Sequence, residues 1–402
     1  ILFSFFKVAA HMKIALLNLG RINNAFGGTE KVFFDMANNL SRLGHDVSTI
    51  VHDTHSGAPG FPIDEKVRYY NCRVSLLTNI KSQILRRLVP LFYPRSQKLE
   101  IKFNYKYRPR VENIKAAIEK EKPDVIVTFH PFSTFFAKEF VKTDIPIVSM
   151  FHLNPGNFDS HEDQMYYESL KKCHTVQVLM PEYIPPLLKA LAPYKQVISV
   201  PNIVPQYTQQ STCTNPVIVN VARLCPNNKR QHLIIEAFNL LKNDFPQWRV
   251  ELWGDSGERP KYAHKLALLI KKYHLEDRVK LCGPTKDVPS KLQKASIFCF
   301  PSAVEAFGLA MTEAMSMGLP AIGCKQCTGV NTIIHHGENG FLCDDTPEDI
   351  AAHLRILMSD TELRKKMGQQ AREDMKQYAP EVIWKRWDEL LKKVHAGEPI
   401  VE

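Results

Sequence analysis

The run Pro301-Ser-Ala-Val-Glu305-Ala-Phe-Gly-Leu-Ala-Met-Thr-Glu313-Ala-Met-Ser-Met-Gly-Leu-Pro320 reads as a loop, a helix and the approach to a strand. A short apolar run at 297–300 precedes it and predicts a buried strand. The loop holds Glu305. Phe307, Gly308 and Leu309 open a helix expected over 308–317, and a further strand is expected at 320–322. Strand, loop, helix and strand in this order build a parallel sheet. The helix start presents the main-chain N–H groups of Gly308 and Leu309, and such a start attracts phosphate. Glu313 lies eight residues after Glu305 on the first turns of that helix. Carboxylates accept hydrogen bonds strongly and donate none, which suits them to sugar and ribose hydroxyls. An isolated pair of acids at a helix start is more often surface decoration.

The same alternation continues on both sides. In the second half, strands are expected at 217–221, 249–253 and 279–282, with helices at 230–241, 261–273 and 347–377. The first half repeats the pattern: strands at 13–18, 46–51, 124–129, 147–151 and 175–179, and an amphipathic helix at about 29–43 stopped by Gly44. Near-continuous apolar strands separated by helices predict buried parallel sheets. Between the halves stand Val-Pro-Asn-Ile-Val-Pro at 200–205 and a polar stretch at 206–215, which mark a linker. We expect an α/β protein of two Rossmann-like, doubly wound domains, at 12–203 and 204–379, facing a central cleft at the carboxyl ends of their strands. Residues 1–11 are apolar but lack a basic leading region, so they read as a remnant ahead of a natural start at Met12 rather than a secretory signal.

The length of 402 residues supports two domains at roughly 100–200 residues each. No apolar run approaches the roughly 18 residues of a spanning helix. Nine scattered cysteines, an odd number, point to a reducing compartment and a cytoplasmic protein. Cys324 and Cys327 form a lone Cys-x-x-Cys. A zinc site needs a second pair, so two buried or half-buried thiols are the better reading. The net charge of +10 is concentrated: residues 80–110 carry nine Lys or Arg against Glu100 alone. A charge this local implies one basic patch and no general affinity for polyanions, so no nucleic acid is expected as a partner.

Two further turns carry chemistry. Asn220-Val-Ala-Arg223-Leu-Cys-Pro-Asn-Asn-Lys229-Arg230 joins the first strand and first helix of the second domain. Two cations at a strand-to-helix turn suit a diphosphate, and cations there oppose the helix dipole unless an anion is present. Asn24-Ala-Phe-Gly27-Gly28-Thr29-Glu30 follows the first strand, and paired glycines let a main chain approach a ligand. His152 and His130 each end an expected strand.

Glu-x7-Glu followed by Ala-Met-x-x-Gly-x-Pro resembles the retaining glycosyltransferases of the GT-B fold, family four (glycosyltransferase group 1). The Arg-Leu-x4-Lys pattern at Arg223, Leu224 and Lys229 resembles the same family. The resemblance spans the chain from Met12, with its specific motifs mostly at 217–345. It implies transfer of a sugar from a nucleotide diphosphate, UDP favoured, to a glycan, lipid-linked or lipopolysaccharide acceptor, with retained anomeric configuration. It implies donor-sugar contact for Glu305 and His152, ribose contact for Glu313, and diphosphate contact for Arg223 and Lys229. Gly27, Gly28, Phe307, Gly308 and Leu309 would complete the donor site, and the last helix, about 380–396, would return to the first domain. Thr332 stands where relatives carry an acid, and Ile203 where many carry glycine.

No Asp-x-Asp triplet occurs. Fixed cations and helix starts can carry the diphosphate charge instead, so we expect no metal and no cofactor. A sugar-nucleotide epimerase of the same fold is the alternative; conversion of donor without acceptor would reveal it. In residues 80–110, Arg86, Arg87 and Lys98 stand among Leu, Ile, Phe and Tyr residues. That mixture suggests peripheral docking on an anionic membrane; the alternative is a solvated charged face on an ordinary insertion.

Overall fold

The computed structural model describes residues 11–400 except 26, 56, 95–96, 154, 156–160, 256 and 258–259, and not the side chains of 76, 98–100, 103 and 161–163. Most of the expected remnant, Phe26 of the glycine turn, Arg95 and the Lys98 side chain therefore lie outside the described residues.

The chain forms two compact units, residues 1–200 with 384–402 and residues 201–383. In the first unit, β1 (Lys13–Asn18), β2 (Asp46–Val51), β3 (Arg68–Asn71), β4 (Val125–Phe129), β5 (Ile147–Phe151), β6 (Thr175–Val178) and β7 (Val197–Ser199) form one sheet. Their order is β3-β2-β1-β4-β5-β6-β7, and every pairing is parallel. The inner strands are almost wholly buried, because helices cover both faces and apolar side chains gain from leaving water in either direction. The helix Lys98–Glu121 presses Tyr107, Ile114 and Ile118 into a cluster with Leu17, Ile50 and Ile126. At the amino ends of the strands, Arg68 bonds both Asp46 and Glu121, and Tyr70 adds a bond to Glu121. Burial opposes ionisation of Glu121, but Arg68 and Tyr70 outweigh it and hold the carboxyl below its usual range.

Residues Trp384–Glu402 belong to this first unit. Asp388 Oδ1 lies 2.9 Å from His45 Nε2, Arg386 donates to Ser199 O at 2.6 Å, and Ile400 N–H donates to Gln196 Oε1 at 3.1 Å.

The second unit holds β8 (Val217–Val221), β9 (Arg249–Trp253), β10 (Val279–Gly283), β11 (Ile297–Phe300), β12 (Ala321–Cys324) and β13 (Gly340–Cys343). Their order is β10-β9-β8-β11-β12-β13, again all parallel. The division falls between Val200 and Pro201, not at 203/204, because the following segment is fastened to the second unit. Val204 N–H donates to Tyr378 O at 2.8 Å, and Ser211 N–H to Met317 O at 2.8 Å. The polar stretch expected as a linker is thus a tied strap. The helices expected over 347–377 are Pro347–Ser359 and Thr361–Asp374, parted where Asp360 leaves helical geometry and caps the second through Leu363 N–H.

Candidate active site

In the second unit, the Arg223 turn and the Glu305 loop are built against each other. Leaving β8, Ala222 N–H donates to Trp253 O at 3.0 Å and Leu224 N–H to Asp255 O at 2.7 Å. The chain after β9 must come this close, and Gly254 permits it: its φ is +143°, and a Cβ there would overlap Ala222 O. The turn closes where Lys229 and Arg230 N–H both donate to Cys225 O, at 3.1 and 2.9 Å. Burial would raise the Cys225 thiol, but the N–H groups of Asn228, Asn227 and Lys229 and the nearby Arg223 bring it below its usual value. Main-chain N–H groups of this turn therefore face the Cys225 sulfur, where they favour negative charge.

Two hydrogen bonds fix the turn to the loop after β11: Ala303 N–H to Asn228 O at 2.7 Å and Arg230 Nε to Pro301 O at 2.8 Å. Arg230 also pairs with Asp345 at 2.6 Å, so it serves as a brace between segments. The Lys229 ammonium pairs with the Glu305 carboxylate and lies 5.2 Å from the Phe300 ring centre. Sequence reasoning held that cations at this turn require an anion; the structure supplies one from the chain itself. Arg223 differs. Its side chain is exposed and makes no ion pair among the described residues.

The Glu305 loop passes over the short helix Thr328–Asn331, where Gly329 leaves room for it: a Cβ at Gly329 would overlap Glu305 O and Ala306 C. The helix that follows runs Leu309–Ser316, with Gly308 as its N-cap at φ +74°, in the left-handed region that favours glycine. Leu309 and Glu313 are half-buried. Tyr207 lies beside Glu313; burial, then that carboxylate, raise its phenol. Phe307 does not offer its ring to a ligand: it is buried and meets Tyr378 edge-on at 5.2 Å. Only its main chain can serve a donor.

In the first unit, His130 and His152 emerge side by side from the carboxyl ends of β4 and β5. His130 turns the chain with φ +77° into the helix Pro131–Phe135, which a hydroxyl chain Thr128–Thr134–Ser149, 2.6 Å per link, fastens to both strands. His152 stacks on Phe129, ring centres 5.7 Å apart, and its Nε2 has no hydrogen-bond partner among the described residues. Burial, then the neighbouring His130, push its imidazole down to about 3. It is a neutral ring at physiological pH. A buried polar atom left without a partner is costly, and a ligand would satisfy it.

Gly27 caps the helix Gly28–Arg42, and neither glycine has positive φ. What fills the space beside Gly27 is the Glu30 carboxylate, folded back onto the helix start. The loop before it is clamped by Asp53, whose carboxylate accepts from Ile22 N, Asn23 N, His55 N and His55 Nδ1 at 2.6–2.8 Å. Sequence reasoning missed Asp53 and Tyr207. An acid two residues after β2, at the carboxyl edge of a sheet, was the available signal for the first; nothing local marked the second.

Cys324 and Cys327 are buried free thiols. Arg230 donates to Cys324 at 3.3 Å, and burial pushes Cys327 up to about 12. Among the described residues no group of three or more His, Cys, Asp or Glu could hold a metal. The structure parts the three residues expected to meet a membrane. Arg87 is exposed, Arg86 is half-buried close to Arg110, and the Lys98 side chain is not described. No helix among the described residues is long and apolar enough to cross a membrane.

Comparisons with known proteins agree with this architecture. The model for Glycosyl transferases group 1 matches residues 208–374, and that for Glycosyltransferase Family 4 matches residues 26–178. An uncharacterized glycosyltransferase of Haemophilus influenzae is 26% identical over 383 residues, covering 94% of this chain and 98% of that protein. The exopolysaccharide phosphotransferase SCO2592 of Streptomyces coelicolor is 34% identical over 198 residues, which is 48% of this chain but only 20% of that protein. Among solved structures, Anabaena Alr3699/HepE in complex with UDP and glucose superposes with a TM-score of 0.73 at 20% identity, covering 95% of this chain and 100% of that one.

Proposed function

From the premise that the chain belongs to the group 1, family four glycosyltransferases of the GT-B fold, we propose that it moves a sugar from UDP to a glycan or lipid-linked acceptor, with retained anomeric configuration and without a metal. The observation that carries this reading is the joining of the Arg223 turn, the Lys229–Glu305 pair and the helix start at Gly308 in one unit. Arg223 and Lys229 would bear the two phosphates. Glu305 would accept from sugar hydroxyls while fixing Lys229 in place, and Glu313 would accept from the ribose. Support for UDP comes from HepE, whose structure holds UDP and glucose.

The bond from the anomeric carbon to the diphosphate oxygen breaks through an oxocarbenium-like state. Negative charge then grows on the diphosphate, where fixed cations stabilise it most; losing one such group typically costs about 10²–10³ in rate. The acceptor oxygen attacks the face the phosphate leaves, and its proton passes to that phosphate. No side-chain nucleophile is required. His152, neutral at working pH, is suited to a hydrogen bond with the donor sugar and not to holding charge.

The test is to incubate the protein with a panel of sugar nucleotides in the presence of a chelator and follow free nucleotide. Release of UDP, and product of unchanged anomeric configuration once an acceptor is supplied, are expected. No release from any UDP-sugar overturns the reading, and an isomeric sugar nucleotide formed without acceptor assigns an epimerase instead.

A further inference from the structure

The helix Leu76–Leu88 and the turn Val89–Phe92 that continues it leave an apolar stripe in solvent. Leu77, Ile80, Ile84, Leu88 and Leu91 recur at intervals of three and four residues, and all are exposed, Leu77 by 79%. Phe92 extends the line and is 84% exposed. Of the thirteen exposed large hydrophobic residues among the described residues, seven lie within 77–93. Exposed apolar residues are ordinary when scattered; gathered on one helix they mark a binding face. The opposite face of the helix is already used. Ser82 hydrogen-bonds Tyr105 O on the helix Lys98–Glu121, and Pro90 is buried.

The charge around the stripe selects its partner. No Asp or Glu occurs between Glu65 and Glu100, while Lys81 and Arg87 are exposed beside the apolar line. An acidic leaflet matches both features at once: acyl chains take Leu, Ile and Phe, and headgroup phosphates take the cations. The helix follows β3 and so leaves from the carboxyl end of the sheet, the end where His130 and His152 emerge.

We infer that Leu77, Ile80, Ile84, Leu88, Leu91 and Phe92 insert in the plane of an anionic lipid surface, with Lys81 and Arg87 on its headgroups. The apolar stripe supplies the hold and the cations the lipid preference. This goes beyond sugar transfer and does not depend on it.

The experiment is co-sedimentation of the full chain with phosphatidylcholine vesicles containing, or lacking, about 30 mol % phosphatidylglycerol. The wild type should pellet with the anionic vesicles and retain most of that binding at about 0.5 M salt, where exposed charges are screened. Leu77→Ser/Leu91→Ser/Phe92→Ser should lose more than about tenfold in partitioning. Lys81→Gln/Arg87→Gln should lose the preference for anionic lipid while keeping most of its binding. These side chains are exposed, so melting temperature should hold in both variants and show them folded. A wild type that stays in the supernatant with every vesicle overturns the inference. So does a folded triple variant that binds as the wild type does, or an apolar stripe found to join two copies of the chain in solution instead. Nucleotide release from a soluble donor, measured on the same variants, should be unchanged, which separates failure here from failure of the transfer reading.

Discussion

The Lys229 ammonium and the Glu305 carboxylate, 76 positions apart in the chain, form one ion pair in the second unit. Their side chains are only 20% and 12% exposed, so neither can turn to bulk water for compensation. The pair joins the strand-to-helix turn after β8 to the loop after β11.

Removing one partner should therefore cost more than removing both. Lys229→Met takes the ammonium partner from a mostly buried carboxylate and should destabilise the protein by about 1–3 kcal/mol, and Lys229→Met/Glu305→Gln should recover part of that loss. Chemical denaturation of the four proteins of the cycle measures it. Additive losses would show that the pair is not formed in solution.

Gly329 should tolerate no side chain. In Gly329→Ala the new Cβ meets main-chain atoms of Glu305 and Ala306, which cannot swing aside as a side chain would. A stability loss of about 1–3 kcal/mol is expected, with a raised KM for the donor because Glu305 is displaced. Unchanged melting and unchanged KM would contradict the close approach.

Arg223→Ala should separate function from stability. The residue is exposed and makes no ion pair among the described residues, so its loss should change stability by less than about 0.5 kcal/mol. The rate kcat/KM should fall about 100-fold, and Arg223→Lys should recover only part, since lysine lacks the planar fork. Steady-state kinetics beside thermal melting checks both halves.

Acid should weaken the first unit early. Burial, then Arg110, push His52 down to about 4; burial, then His130, push His152 down to about 3. The unfolded chain binds protons at these sites below about pH 6.5 while the folded chain does not, so stability is full above that pH and falls beneath it. At pH 5 each histidine should cost about 2 kcal/mol. Denaturation at pH 7 and 5 should show a smaller fall in His52→Asn and His152→Asn. An equal fall in the wild type and both variants would mean these rings are not buried neutral.

Much of this was legible from residues alone, for identifiable reasons. The inner strands read correctly because apolar runs buried on both faces cannot be mistaken for alternating ones, as at Val217–Val221 and Ile147–Phe151, whereas the short edge strands β3, β7 and β13 went unread. Glycine and acid spacing located the Glu305 loop and the Gly308 cap. What escaped depends on contacts between distant segments. Nothing in 206–215 says that Ser211 will fasten to Met317, or that Tyr207 will lie beside Glu313. Phe307 stood in a motif near a ligand site, yet its ring packs on Tyr378, a partner 71 residues on that no local pattern reveals. Composition found the cations at 80–110 but could not say that Arg86 turns in and Arg87 out, because that is set by how one helix rolls against another.

The central claim is that the turn bearing Arg223 and Lys229 grips the donor's diphosphate. Calorimetric titration of UDP, in chelator, into the wild type and into Arg223→Ala/Lys229→Gln tests it most directly, at a temperature where melting shows both folded. Saturable binding to the wild type, weakened at least about 100-fold in the variant, is the expected result. Equal affinity in the two proteins would contradict it.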